Sequence, residues 1–315
     1  MKQLNLRTAM FAVFMMLGVS VFADDIEEGV KYIDGNGQVQ YANDCTVLES
    51  DKEWYTATLT NGWYFFKKSS VNNFRLTVGG GHVHIILEDD CEFDFDSFEI
   101  IESAKYTTFI HFYSQSLGEL MGKAKIDDYY LDRYAEMWEI NGGDLYVCGT
   151  SFDYPSMSGS TFVMNGGNLT FSNNVAYPIG CADMYLNGGT IKTERDQAKV
   201  VAGSSLTFGY SYCNFVGDFQ DFEYYGEDDI NVAEGLTVWF DNRKFMGNIP
   251  SNATYSYPVK HIKTVYDSTV LGMECVDDGR HDDEGAWFTL NGIRLASAQT
   301  ERGMYIHNNS KVIVK

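Results

Sequence analysis

The chain has 315 residues, with 23 Lys and Arg against 44 Asp and Glu and a formal net charge of -21. Such an acidic surface repels phosphate backbones and anionic headgroups, which excludes nucleic acid and anionic lipid as partners. Only four prolines, with 30 Gly, 21 Tyr and 21 Phe, favour strands and tight turns and predict an all-β fold.

The first residues have the features of a secretory signal peptide. Lys2 and Arg7 supply the positive charges of the n-region, and residues 10–22 form the apolar region. Ala23 ends a small-residue cleavage site. Removal of residues 1–23 leaves 21 cations against 44 acids. We therefore expect a secreted or cell-surface protein, with the periplasm as the alternative. No later stretch has the length of a membrane-spanning helix, so no membrane span is expected.

An N-terminal cap is predicted over residues 24–60. Within it, 31–43 reads as a hairpin whose turn is the Asp-Gly-Asn-Gly of 34–37. Short strands of alternating apolar and polar residues follow, with glycine or acidic turns between them. Their predicted positions are 63–66, 74–78, 83–87 and 91–95.

An Asn-Gly-Gly phrase recurs at Asn141, Asn165 and Asn187, each time between short alternating strands. One interpretation is an array of antiparallel hairpins, because Asn-Gly is a strong hairpin signal. The other is a coil of parallel strands, which the spacings of 24 and then 22 residues favour. In a coil the three asparagines can stack, each amide bonding to the next. We therefore predict a right-handed parallel β-helix over 61–249.

Stacked coils also predict which side chains share an outward column. No predicted column around the repeat holds two carboxylates, which argues against a lyase or hydrolase site there, since those reactions need carboxylates at close range. The columns are Glu139/Val163/Tyr185, Asp144/Asn168/Thr190 and Tyr146/Thr170/Lys192.

The strongest acidic pattern is Glu92, Asp94 and Asp96, three acids on one face of a predicted strand at intervals of about 7 Å. Carboxylates in such a row are ligands that Ca²⁺ prefers, so calcium is a candidate cofactor. The alternative is an ordinary solvated face opposite the buried side of the strand.

Exposed tyrosines are the candidates for ligand binding, because flat aromatic faces pack against sugar rings. The predicted set is Tyr129, Tyr130, Tyr134, Tyr146 and Tyr185. Ordinary surface aromatics are the alternative for each one. The partner is then an extracellular or surface glycan, or a protein on a host or bacterial surface.

Cysteine and histidine show no metal-site pattern. The six cysteines permit three disulfides or serve as small buried fillers, and no Cys-x-x-Cys occurs among them. His82 and His84 lie two apart on the outer face of a predicted strand, and no third ligand is evident.

Residues 31 to about 125 resemble the opening of exported Bacteroidetes proteins with a pectate-lyase-like right-handed parallel β-helix. The resemblance is carried by the phrases YIDGNGQ, TVLES, NGWYFF, GGHVHIILEDDCEFDF and HFYSQSLGELMGKAKI. It implies a β-helix, a fold that often carries polysaccharide lyases and hydrolases. Asp90 departs from the pattern, because it stands where a glycine is usual.

The C-terminal segment, 250–315, is predicted to form a short hairpin or sandwich-like β unit. Its last residues, WFTLNGIRLASAQTERGMYIHNNSKVIVK, resemble the C-terminal segment of type IX secretion cargo. The sequence as a whole predicts a non-catalytic exported β-helix protein that binds glycans or mediates adhesion. The alternative is a polysaccharide lyase or glycoside hydrolase on the same fold.

Overall fold

The computed structural model shows a nearly all-β protein, as predicted from composition. It describes the backbone and side chains of residues 29–49, 55–68, 73–128, 134–149, 155–254 and 259–266, except the side chain at 128. It also describes the backbone of 287–288, 294–295, 303–307 and 310–314. The predicted signal peptide lies outside the described residues.

The strands are short and follow one another closely. The first ten are β1 (Val30–Ile33), β2 (Val39–Ala42), β3 (Thr46–Leu48), β4 (Tyr55–Leu59), β5 (Gly62–Phe66), β6 (Asn73–Val78), β7 (Gly81–Leu87), β8 (Glu92–Ile100), β9 (Thr108–Ser114) and β10 (Lys123–Asp128). The next nine are β11 (Tyr134–Ile140), β12 (Asp144–Gly149), β13 (Met157–Met164), β14 (Asn168–Phe171), β15 (Ile179–Leu186), β16 (Gly189–Thr193), β17 (Lys199–Phe208), β18 (Phe215–Tyr224) and β19 (Asn231–Val232). The last seven are β20 (Leu236–Phe240), β21 (Arg243–Met246), β22 (Val259–Tyr266), β23 (Trp287–Phe288), β24 (Arg294–Leu295), β25 (Gly303–His307) and β26 (Ser310–Val314). Among the described residues, short 3-10 helices cover Glu102–Thr107, Gly118–Leu120 and Ser251–Thr254.

Strands two apart in the chain pair in parallel, which makes two long parallel sheets. Sheet 1 contains the odd-numbered strands from β3 to β19. Sheet 2 contains the even-numbered strands from β4 to β18. The chain is therefore a parallel β-solenoid, or β-helix, of about eight turns, which confirms the predicted parallel β-helix.

The interior of the solenoid is a set of columns of apolar side chains, one per coil. Alternate residues of each strand point inward, so each coil covers the apolar face of its neighbour. One column of sheet 1 contains Tyr64, Ile85, Phe112, Ile140, Met164 and Leu186. All of these side chains are buried, and together with the columns of sheet 2 they form one continuous core.

The Asn-Gly-Gly copies are turns of the coil, and the hairpin-array alternative is wrong because the flanking strands pair in parallel. The second glycine of each copy has a positive φ, between 76° and 95°, which an L side chain rarely adopts. The asparagine amides stack as predicted. Asn165 Nδ2 donates to Asn141 Oδ1 at 2.8 Å, and Asn187 Nδ2 donates to Asn165 Oδ1 at 2.8 Å.

Asp90 has a backbone conformation that glycine usually adopts. It lies in the turn before β8 with φ 54°, in the left-handed region where glycine is favoured. Asp is one of the few other residues that enter this region readily. An aspartate at this position is therefore compatible with the turn.

Antiparallel strands flank the solenoid. β1 and β2 form the predicted hairpin, which lies along the outside of the solenoid: Val30 and Ala42 pack on outward side chains of sheet 1, and Gly35 accepts a hydrogen bond from Ser211. At the C-terminal end of the solenoid β20, β21 and β22 pair antiparallel, and β22 also pairs with β18. Parallel pairing already begins at β3, inside the segment predicted as the cap.

The last four strands form a separate antiparallel sheet, in the order β24-β23-β25-β26. β25 and β26 are joined as a hairpin, with Met304 opposite Ile313. This pairing agrees with the β character predicted for the C-terminal segment.

Two cysteines of the solenoid follow the buried-filler alternative. Cys91 and Cys181 are buried as single thiols within the core. Burial raises the pKa of Cys91 to about 11, with Glu88 adding to the effect. Both thiols are therefore protonated at neutral pH and act as small apolar side chains.

Candidate functional site

The predicted tyrosines do not form one aromatic surface among the described residues. Tyr129 and Tyr130 lie outside the part of the chain that the structure describes. Tyr134 is half-buried, whereas Tyr146 and Tyr185 are 38% and 37% exposed. Tyr146 lies on β12 of sheet 2 and Tyr185 on β15 of sheet 1, so the two exposed rings belong to different faces.

The predicted acidic row lies on the outer face of β8, with its cations on the strands beside it. Asp94 is opposite Lys125 in the register, and their charged atoms are 3.7 Å apart. Asp96 pairs with Arg75 at 3.3 Å. Burial raises the pKa of Asp94, although Lys125 opposes the rise. The row therefore has the features of a solvated face of ion pairs, and calcium binding there stays a prediction.

A groove of about 530 Å³ runs along the corner where the Asn-Gly-Gly turns meet sheet 2. We call it the corner groove. Lys123, Asp144, Asn168 and Thr190 occupy one outward column of sheet 2, so one of them enters the groove from each of four successive coils. Glu119 and Tyr212 also line the groove.

The wall of the corner groove is held by Tyr212, a buried residue of the loop between β17 and β18. Its hydroxyl donates a hydrogen bond to the backbone oxygen of Asn141 at 2.9 Å. Burial raises the pKa of the phenol, so it remains a donor at neutral pH. A Cβ at Gly166 would collide with this hydroxyl, which gives the first glycine of that repeat a packing role.

A second arrangement of polar side chains lies on the outer face of sheet 1, and the sequence analysis missed it. We call His82, His84, His111 and Glu139 the histidine cluster. Parallel pairing of β7 with β9 puts His111 opposite His84, and pairing of β9 with β11 puts Glu139 opposite His111. His111, which was not evident from the sequence as a third ligand, therefore lies beside His82 and His84. The available signal was the outward position of His111 between Ile110 and Phe112, both buried.

Hydrogen bonds fix the buried side of the histidine cluster. His111 Nδ1 lies 2.5 Å from Glu139 Oε2, and Asn165 Nδ2 donates to Glu139 Oε1 at 3.2 Å. Burial alone would raise the pKa of Glu139, but the hydrogen bond and charge of His111 outweigh it and lower that pKa. Glu139 is therefore a carboxylate at neutral pH.

The rings of the cluster are stacked along the solenoid axis. His84 lies between Trp63 and His111, with ring centroids 4.2 Å and 4.3 Å away and planes within 14° of parallel. Burial lowers the pKa of His84 to about 4, and the charges of His111 and His82 lower it further than Glu139 raises it. His84 is therefore neutral at physiological pH.

No protein-family model, curated protein or solved structure matches the chain. Among the described residues, no helix combines the length and apolar character needed to cross a membrane. Function is therefore inferred from the residues of this chain and their geometry.

Proposed function

We propose that this protein is an exported β-solenoid that binds glycan chains, as a secreted or cell-surface binding or adhesion protein. Export is supported by the predicted signal peptide and by the resemblance of the C-terminal segment to secretion cargo. The observation that carries the binding role is the corner groove of about 530 Å³. Its lining includes polar side chains from four successive coils.

The groove matches an extended polymer because its polar groups repeat with the coils. Neighbouring strands are about 4.8 Å apart, so the column from Lys123 to Thr190 spans about 14 Å. The column offers an ammonium group, a carboxylate, an amide and a hydroxyl in turn. These groups can donate hydrogen bonds to sugar hydroxyls or accept hydrogen bonds from them. Such bonds would fix the register of a glycan chain that lies along the solenoid axis.

A glycan array with the full-length protein tests the proposal. We expect binding to one class of polysaccharide, weakened at least tenfold by Asp144→Ala together with Asn168→Ala. The matched control is Lys192→Ala with Thr170→Ala, which changes the neighbouring outward column of sheet 2. Glycan binding that is unchanged by the groove variant, or an array without any binding, would contradict the proposal.

A second candidate function, a polysaccharide lyase or hydrolase, is favoured by the charges in the same groove. Lys123 lies beside Asp144 on the adjacent strand, and Glu119 also lines the cavity. An amine base and carboxylates on one surface are groups that such reactions use. An assay for new reducing or unsaturated ends decides between the two. Product that disappears in Lys123→Ala would replace the binding-only function with an enzymatic one.

A further inference from the structure

The histidine cluster has the spacing of a metal site. One nitrogen from each of His82, His84 and His111 lies within 4.8 Å of the other two. His82 Nδ1 and His111 Nε2 are 3.3 Å apart. Two nitrogens bound to one tetrahedral ion at about 2.0–2.1 Å are separated by about 3.3–3.4 Å. The pair therefore already has the separation of two ligands of one ion.

The protonation pattern around the cluster exposes lone pairs toward its centre. When neutral His111 donates its Nδ1 hydrogen to Glu139, its Nε2 is left with a lone pair facing His82. A carboxylate on the far nitrogen of a histidine is the usual outer partner of a metal ligand. When His84 donates its Nδ1 hydrogen to the hydroxyl of Tyr113, 3.2 Å away, its Nε2 is likewise left with a lone pair.

The framework of the cluster combines a rigid base with an open rim. His111 is only 5% exposed, and its strand is fixed by the buried Ile110 and Phe112 on either side. His82 is exposed at the rim, so an ion can enter from solvent. The three rings lie within 15° of parallel, so binding requires them to tilt toward a common point. His82 is the exposed member of the three, and its ring is stacked on Phe109 with centroids 4.4 Å apart, so its tilt breaks that stacking.

We propose that His82, His84 and His111 bind one transition-metal ion through their imidazole nitrogens, with Glu139 positioning His111. Imidazole ligands suit Zn²⁺, Cu²⁺ and Ni²⁺, whereas Ca²⁺ and Mg²⁺ take oxygen ligands. With three protein ligands and an exposed rim, a fourth coordination position is left for water or an external donor. The site lies on sheet 1 and is distinct from the corner groove on sheet 2.

The competing explanation is a stack of rings joined by hydrogen bonds. The 3.3 Å contact of His82 and His111 is also short enough for an imidazole hydrogen bond. In that case one proton occupies the centre of the cluster and no ion binds. The two explanations differ in what the protein does when Zn²⁺ or Co²⁺ is added.

The test is a titration of the full-length chain, without a polyhistidine tag, with ZnCl₂ by calorimetry and with CoCl₂ by visible absorption. We expect one ion per chain, and His82→Ala and His84→Ala should each weaken binding at least tenfold. The matched control is His261→Ala, because His261 is exposed and pairs with Asp218 away from the cluster. CaCl₂ should give no saturable binding.

Three results would overturn the metal site: no saturable Zn²⁺ or Co²⁺ binding, unchanged binding in both cluster variants, or an equal loss in His261→Ala. Circular dichroism checks that each variant is folded. Because His82 is exposed, its variant decides the question even if a change at the buried His111 unfolds the chain. Glycan binding at the corner groove should be the same in the His82 variant, so the two proposals fail separately.

Discussion

Two regions of sheet 1 share one interior but have different outer faces. In the N-terminal coils, β5, β7 and β9 present Trp63, His84 and His111 in one outward column. In the Asn-Gly-Gly coils, the same column continues through Glu139 to Val163 and Tyr185. Inside, apolar side chains continue through both regions. The difference shows that stacking restricts the inner column to apolar side chains, while the outer column can contain polar and titratable ones.

The N-terminal hairpin adds to this difference. Its residues Val30 and Ala42 cover the outward Phe65, Ile86 and Tyr113 of the N-terminal coils. The hairpin turn extends to the other region, where Ser211 Oγ donates to the backbone oxygen of Gly35 at 3.0 Å. The N-terminal coils therefore have an apolar outer patch beside the histidine cluster, and the hairpin keeps that patch from water.

The largest expected effect comes from breaking the shared interior. Phe112→Ala removes a fully buried ring and should lower the free energy of unfolding by about 3–5 kcal/mol. Val163→Ala, at an outward position of the other region, should cost about 0.5 kcal/mol or less. Urea denaturation measures both. Equal losses would show that the inner and outer columns do not differ as described.

The next largest loss of stability is expected from breaking the asparagine stack. Asn165→Ala removes a side chain that donates to Asn141 and accepts from Asn187, and should cost about 1–3 kcal/mol of unfolding free energy. Asn187→Ala, at the end of the stack, breaks fewer of these bonds and should cost less. Thermal or urea unfolding of the two variants compares them, and an equal or reversed order would contradict a stabilising stack.

Loss of charge at Glu139 tests whether a residue at the start of the Asn-Gly-Gly coils affects metal binding by the histidines of the N-terminal coils. Glu139→Gln should weaken Co²⁺ binding by about 10–100-fold, because the outer partner of His111 loses its charge. Glu136→Gln is the control, since Glu136 is on the same strand and accepts a hydrogen bond from Ser160. Co²⁺ titrations measure both. A matching drop in unfolding free energy with unchanged Co²⁺ affinity would assign Glu139 a structural role instead.

The pH dependence of stability is the last predicted effect. In metal-free protein His84 stays neutral down to about pH 4, whereas the unfolded chain takes up a proton near pH 6.5. Stability should therefore fall as the pH is lowered from about 6.5 to about 4. The groups facing His84 are His82, His111, Glu139, Tyr113 and Trp63.

Urea unfolding with a chelator at several pH values, compared with His84→Gln, measures this contribution. The variant should lose less stability than the wild type between pH 6.5 and pH 4. Parallel curves for the two proteins would contradict the predicted burial of a neutral His84.

Local patterns were sufficient for much of the fold. Alternation within each strand predicted the inward residues, and the interval between Asn141, Asn165 and Asn187 predicted coils rather than hairpins. The histidine cluster was not predictable in this way. His84 and His111 are separated by 27 residues, whereas the Asn-Gly-Gly copies are 24 and 22 residues apart. The coils therefore differ in length, and a short helix lies between the two histidines. Only the observed pairing register brings the two rings together.

By itself, the sequence determined the all-β class, the parallel coil and the faces of its strands, because these depend on periodicity and on turn residues close in the chain. The tertiary structure decided the corner groove and the histidine cluster, because each combines side chains from several coils. A shift of one residue in the pairing of β7 and β9 would move His111 away from His84. The register between coils is a property of the whole stack, and it determines which polar residues from different coils lie together in a candidate site.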